Sequence, residues 1–252
     1  MFSWKKVKKF PIIVAHRGES AKAPENTMTA FRMAVKEGAD AIELDVHLTR
    51  DKQIVVIHDD KIDRTTDGKG FVCNYSLSQL KNFDATTLWN KKFPTEPVPA
   101  LDNVLSEFGD TIGINIEIKK ERTLTGQYDL IMKCIELVSK YKLSESILFS
   151  SFSIKVIEKI GELDFNIPRG LLYDPLMHSL KSPISIAKSI GAKYLIMNHR
   201  VLTKKIVRSV HDNDMLIGGF TVNTIRQADR LLRYGIDMII TNHVSHILTN
   251  IR

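Results

Sequence analysis

Two short stretches of the chain carry an unusual density of side chains able to do chemistry. Residues 41–47 read AIELDVH, with Glu43, Asp45 and His47 alternating with Ile42, Leu44 and Val46. Residues 113–119 read GINIEIK and repeat the pattern, Asn115, Glu117 and Lys119 alternating with Ile114, Ile116 and Ile118. Successive side chains of a strand point to opposite faces, so each stretch predicts a strand with one apolar and one charged face. Turned inward on neighbouring strands, Glu43, Asp45 and Glu117 meet in one small volume. Like charges at ~4 Å repel by several kcal/mol at an intermediate effective dielectric, so three carboxylates there call for a cation. Oxygen ligands with no cysteine nearby suit one divalent cation, Mg²⁺ or Ca²⁺, better than Zn²⁺. The competing reading pairs the carboxylates with Lys119 and Arg17, although Lys119 can satisfy one of them and hardly three.

Two histidines close other apolar runs. His16 and Arg17 stand in AHRGESAKAPENT, where Gly18 permits a sharp departure of the chain and Pro24-Glu25-Asn26 leads into a helix; His58 ends QIVVIHDD. Imidazole titrates near neutral pH, so one ring can accept a proton from a nucleophile while the other donates to a leaving alcohol. The guanidinium of Arg17 can fork onto a phosphate or a carboxylate with two hydrogen bonds. His199 also closes an apolar run and is a further candidate for the rim of such a site.

Eight apolar runs predict the strands that hold these residues: PIIVAH, AIELDV, GINIEIK, SILFSSF, RGLLY, YLIMN, LIGGFTV and DMIITN. Helical spacing separates most of them, as in Met28, Phe31 and Val35 or Ile225, Ala228 and Leu232. Gly38, Gly191 and Gly235 each end a helical pattern about two residues before a strand, the joint expected of a left-handed residue after a helix. Asn26, Ser153, Thr203 and Asn223 read as helix N-caps. Strands alternating with helices predict the α/β class and a (β/α)8 TIM barrel, with a doubly wound open sheet as the competing arrangement. A barrel turns its apolar strand face outward under the helices and leaves Glu43, Asp45 and Glu117 facing in. Residues 59–98 break the rhythm and have their own aromatics, Phe71, Tyr75, Phe83, Trp89 and Phe93, so they read as a small lobe inserted after the second strand. Residues 1–252 are otherwise read as a single domain.

Composition narrows the function classes. The 252 residues are 43% hydrophobic and carry a formal net charge of +7, enough apolar content for a packed core and a balance suited to anionic partners. No basic stripe with interleaved aromatics supports nucleic-acid binding. Cys73 and Cys134 are too far apart in sequence to suggest a disulfide framework or a thiolate metal site, and Cys134 falls on the apolar stripe of a helix. No apolar run approaches a membrane span and no signal-peptide pattern opens the chain, so the expected setting is cytoplasmic. Lys5, Lys6, Lys8 and Lys9 read as a solvated basic tip; with Phe2, Trp4 and Phe10 they also suggest a weak membrane-surface contact.

The segments HRGESAKAPENT, ELDVHLTRDKQIVVIHD, RTTDGKG, VPALDNVL, NIEIK and FSSF resemble, in order and spacing, the glycerophosphodiester phosphodiesterase family across nearly the whole chain. The resemblance implies a TIM barrel with an insertion after the second strand and hydrolysis of glycerophosphodiesters to glycerol 3-phosphate and an alcohol. It implies that Glu43, Asp45 and Glu117 hold a divalent cation, that His16 and His58 are the acid–base pair, and that Arg17 and Lys119 bind phosphate. The family accepts several residue types at the position of His47, which is therefore expected at the rim and outside the catalytic set. The chain departs from the family at Phe220, where many members have tryptophan, and at Thr241-Asn242-His243, where many have Thr-Asp and then proline. Phe220 is expected to contact the glycerol or the alcohol. Two alternatives keep the site and change the chemistry around it: a lysophospholipase D, or a lyase releasing the cyclic phosphate. A non-catalytic barrel binding phosphodiesters should have lost a ligand or a histidine, and none is missing.

Overall fold

Each of the eight apolar runs forms a parallel strand: β1 (Ile12–His16), β2 (Ala41–Leu48), β4 (Gly113–Ile118), β5 (Ile147–Ser151), β6 (Arg169–Tyr173), β7 (Tyr194–Asn198), β8 (Leu216–Phe220) and β9 (Met238–Thr241). The structure is a computed structural model that describes residues 2–7, 10–89, 92–178 and 182–251. The strand order is β1-β9-β8-β7-β6-β5-β4-β2, and β1 also pairs with β2, which closes the sheet into a barrel and excludes the open, doubly wound alternative. A short ninth strand, β3 (Ile54–Val56), runs antiparallel along the end of β2.

Helices return the chain between strands: α1 (Met28–Lys36), α3 (Leu101–Phe108), α4 (Leu124–Lys140), α5 (Ile154–Leu163), α6 (Pro183–Ser189), α7 (Lys204–His211), α8 (Ile225–Tyr234) and, last, α9 (Val244–Ile251). Their apolar stripes pack on the outward strand residues, so Ile42, Leu44, Val46, Ile114, Ile116 and Ile118 share one cluster with Phe31, Leu105, Leu130 and Cys134. Burying a large aliphatic side chain there contributes on the order of 1.5–3 kcal/mol. Gly38, Gly191 and Gly235 have φ of 85°, 65° and 85°, the left-handed geometry expected at those joints. Ser153 and Thr203 cap α5 and α7, but α1 and α8 are capped by Thr27 and Thr224, each one residue beyond the asparagine expected from sequence. Asn26 and Asn223 are committed elsewhere: Asn26 donates to Asp45, and Asn223 accepts from the backbone of Asn242.

Residues between β3 and α3 form a lobe with a separate cluster of Ile57, Ile62, Val72, Leu80, Ala85 and Val98, and include the one-turn helix α2 (Leu77–Leu80). Glu96 ties its far end to the barrel by accepting from the backbone of Met28 in the first turn of α1. At the opposite end of the barrel the N-terminal segment departs from the sequence expectation. Trp4 is 2% exposed, donates from its indole to the carbonyl of Ser146 and packs edge-on against Tyr194, with Phe2 against its other side. These two aromatics plug the amino end of the barrel; of the three assigned to a surface tip, only Phe10 is exposed. Lys8 and Lys9 lie outside the described residues. Among the described residues no helix is long and apolar enough to cross a membrane.

Candidate active site

The inward-facing residues divide the carboxyl end of the barrel into two halves. On one arc, β9, β1, β2, β4 and β5 deliver Asn242, His16, Glu43, Asp45, Asn115, Glu117, Lys119 and Ser150. On the other, β6 and β8 with the residue after β5 deliver Leu172, Phe220 and Phe152. Between the two lies a cavity of ≈ 190 Å³ lined by His16, Arg17, Glu43, His58, Asn115, Glu117, Lys119, Ser150, Phe152, Leu172, Phe220, Thr221 and Ile240. Seven of the eight residues singled out from sequence line it. The eighth, Asp45, is 1% exposed and sits behind the wall, reached by Arg17 and Lys119.

Register explains the acidic cluster. In the β2–β4 ladder Glu43 lies opposite Asn115 and Asp45 opposite Glu117, and one carboxylate oxygen from each of Glu43, Asp45 and Glu117 falls within 4.8 Å of the others. Burial, followed by the charges of Asp45 and Glu117, pushes the Glu43 carboxyl well above its usual range; burial and Asp45 raise Glu117 as well. Asp45 behaves in the opposite way. Burial opposes its ionisation, but Lys119 and Arg17, with a hydrogen bond from Asn26, hold it below the usual carboxylate range. Lys119 Nζ lies 2.7 Å from Glu117 and 3.3 Å from Asp45, and Arg17 Nε lies 3.3 Å from Asp45. Those cations leave unmet negative charge on Glu43 and Glu117, so an all-oxygen trio of this spacing fits a hard divalent cation.

The β1–α1 turn places Arg17 in the left-handed region, at φ 58°, with Gly18 following at φ 79°. That turn aims the Arg17 backbone N–H at Glu43 Oε2, 2.9 Å away, and its guanidinium at Glu25, 2.9 Å away. His16 donates from Nδ1 to Asn242 Oδ1 at 2.7 Å, which leaves Nε2 without a hydrogen-bond partner among the described residues. Burial and the neighbouring Arg17 lower its pKa to about 4. His58 Nδ1 donates instead to a carboxylate, Asp59 Oδ1 at 2.5 Å. Burial lowers His58 too, with Lys119 and Arg17 in the same direction and Asp45 and Asp59 opposing. Asp59 is held by Arg64 of the lobe, Nε to Oδ2 at 2.7 Å, and Arg64 also bridges both oxygens of Glu25 at 2.9 and 2.8 Å. A chain of charges thus runs from His58 through Asp59, Arg64 and Glu25 to Arg17.

His47 does not stand at a rim. It is 4% exposed, with Nδ1 3.0 Å from Glu121 Oε1 and Nε2 3.3 Å from the backbone carbonyl of His58. The inward parity of β2 carries it beyond the cavity, where β3 folds back over it. His199 is also buried and is not among the residues lining the cavity; Arg230 of α8 lies 3.2 Å from its Nδ1 and donates to its carbonyl at 2.6 Å. Sequence reasoning assigned no role to Asp59, Arg64, Glu25, Glu121, Asn115 or Ser150, and treated Asn242 only as a departure. Asp59 directly follows His58, a signal that was available.

Residues 16–246 match the model of the glycerophosphoryl diester phosphodiesterase family. A Bacillus subtilis protein described as a putative glycerophosphodiester phosphodiesterase is 36% identical over 94% of this chain and 96% of its own length. A glycerophosphodiester phosphodiesterase of Caldanaerobacter subterraneus subsp. tengcongensis is 34% identical over 96% of this chain and 98% of its own. Among solved structures, an Oleispira antarctica phosphodiesterase in complex with the product sn-glycerol-3-phosphate superposes with a TM-score of 0.87, at 27% identity and with 96% of each chain covered. The barrel, the cavity at its carboxyl end and these likenesses agree: the chain is an enzyme that belongs to the glycerophosphoryl diester phosphodiesterase family.

Proposed function

We propose that the enzyme hydrolyses glycerophosphodiesters such as glycerophosphocholine or glycerophosphoethanolamine to glycerol 3-phosphate and the alcohol. The observation that carries the reading is the convergence on one cavity of two histidines, two cations and a buried carboxylate trio with unmet negative charge. The product held by the Oleispira antarctica relative supports it.

Arg17 and Lys119 bind the phosphoryl oxygens and orient the diester. A divalent cation, Mg²⁺ or Ca²⁺, held by Glu43, Asp45 and Glu117 would neutralise phosphoryl charge and acidify the glycerol 2-hydroxyl. His16, whose Nδ1 rests on a neutral amide, is the base: its free Nε2 takes the proton of that hydroxyl as O2 attacks phosphorus. His58, whose Nδ1 rests on the Asp59 carboxylate, is the acid, because a carboxylate stabilises the imidazolium and an amide does not. As the bond from phosphorus to the alcohol oxygen breaks, His58 gives that oxygen its proton. Water then opens the five-membered cyclic phosphate; His58 takes the water proton and His16 returns a proton to O2. One water is consumed and both rings end as they began.

The test is turnover of glycerophosphocholine, followed through glycerol 3-phosphate, with and without EDTA. Activity should vanish in chelator and return with Mg²⁺ or Ca²⁺, and His16→Ala and His58→Ala should each lose at least about 100-fold in kcat. Full turnover in chelator would remove the cation from the reaction; full activity in either variant would remove that histidine.

A further inference from the structure

The floor of the cavity holds two polar groups with no partner among the described residues. Asn115 Oδ1 and Ser150 Oγ each have under 1 Å² of accessible surface and no hydrogen bond, and their residues are 1% and 0% exposed. Both line the cavity. Asn115 lies directly across the β2–β4 ladder from Glu43, and Ser150 across the β4–β5 ladder from Glu117. Below them the barrel interior is apolar, with Leu148 in register with Asn115. Native interiors pair nearly all of their buried polar side-chain atoms, so two orphans in one cavity wall point to a ligand that completes them.

We infer that Asn115 and Ser150 recognise the terminal hydroxyl of an unacylated glycerol, and so select free glycerophosphodiesters over lysophospholipids. This rests on the reaction proposed above. There the 2-hydroxyl is engaged beside Glu43 and Glu117, and the terminal carbinol is one carbon–carbon bond away from it. That carbinol therefore falls next to the ladder partners of the same two glutamates. A hydroxyl is one donor and one acceptor: it donates to Asn115 Oδ1 and accepts from the Ser150 hydroxyl. An acyl ester at that position has no proton to donate and would press its chain against the polar floor. A site built to hydrogen-bond a substrate hydroxyl discriminates strongly against an analogue without it, because its own buried groups are then left unpaired.

The test compares glycerophosphocholine with its 1-deoxy analogue, 2-hydroxypropyl phosphocholine, which keeps the attacking hydroxyl and the leaving group, and with 1-acyl lysophosphatidylcholine. The unaltered enzyme should prefer glycerophosphocholine over the deoxy analogue by roughly 100-fold or more in kcat/KM and should turn over the lysolipid more slowly still. Asn115→Ala and Ser150→Ala should narrow that ratio to within about tenfold. Ser150→Ala should not lower Tm, because the hydroxyl has no partner to lose among the described residues. Equal kcat/KM for the two soluble diesters, a ratio unchanged in both variants, or lysolipid turnover matching that of glycerophosphocholine would overturn the inference. The underlying reaction is judged separately, by whether the unaltered enzyme cleaves glycerophosphocholine and stops in EDTA. A failure there is visible without either variant.

Discussion

The division of labour between the histidines can be tested at Asp59. The carboxylate accepts from His58 Nδ1 at 2.5 Å and from Arg64 Nε at 2.7 Å, and its side chain is 31% exposed. Asp59→Asn keeps the shape and removes the charge. A hydrogen bond to a charged group contributes about 1.5–3 kcal/mol, and exposure of nearly a third places this one at the low end of that range. At 1.36 kcal/mol per decade, the loss in kcat on glycerophosphocholine should be about 10- to 30-fold. Its direction with pH is also fixed. Removing an anionic neighbour lowers the pKa of His58; an acid is needed in its protonated form, which is lost as pH rises through the pKa. The alkaline limb of the pH–rate profile should therefore move to lower pH. The discriminating assay replaces choline with p-nitrophenol, a leaving group that needs no proton. Read as the first-turnover burst of p-nitrophenolate, before opening of the cyclic phosphate calls on His58 as a base, Asp59→Asn and His58→Ala should then recover most of their activity, whereas His16→Ala should not. Equal losses on both substrates, or recovery of His16→Ala instead, would refute the assignment of acid and base.

Two further outcomes follow from the buried charges. Glu43 has its pKa raised above the unfolded value, so ionising it opposes folding, a cost absent below about pH 4 and growing as pH rises past it. Without divalent cation, Glu43→Gln should thus raise Tm at neutral pH and not at pH 4. With cation at about 100 Kd, the unaltered chain should gain ~2.7 kcal/mol, a rise of about 5–10 °C by scanning calorimetry that the variant lacks. His47→Leu should leave the Glu121 carboxylate short of a partner and free the His58 carbonyl, costing about 1–3 kcal/mol of stability and lowering kcat more than it changes KM; His47→Gln should recover part of both, and a pure loss of stability with kcat intact would make His47 a packing residue only.

The barrel was legible because its signals are local. Each strand is an apolar run of ordinary length, and at three of the joints a helix ends on a glycine: Gly38, Gly191 and Gly235 adopt the conformation that only glycine takes readily. The helix caps slipped by one residue because asparagine and threonine are both good caps, and Asn26 and Asn223 had been claimed by contacts with Asp45 and Asn242, distant in sequence. The plug at the amino end was illegible for the same reason on a larger scale. Trp4 meets Ser146 and Tyr194, and nothing near Trp4 in sequence separates a buried aromatic from an exposed one.

In the site, strand parity was enough to gather Glu43, Asp45 and Glu117, but not to rank them. From sequence, a cation and ion pairs with Lys119 and Arg17 compete for the three carboxylates, and the geometry divides the two among the three residues. Asp45 is compensated by both cations and by Asn26, and stays ionised with nothing else bound. Among the described residues the one hydrogen bond to Glu43 comes from the Arg17 backbone N–H, and Glu117 shares Lys119 with Asp45. Charge compensated within the chain is an anchor that holds Arg17 and Lys119 at the cavity wall; charge left over is affinity for a ligand. Glu43 and Glu117 are also the residues across from which Asn115 and Ser150 stand unpaired. Unmet charge and unmet hydrogen bonds therefore occupy the same patch of β2, β4 and β5, the part of the barrel wall that the proposed cation and substrate would complete.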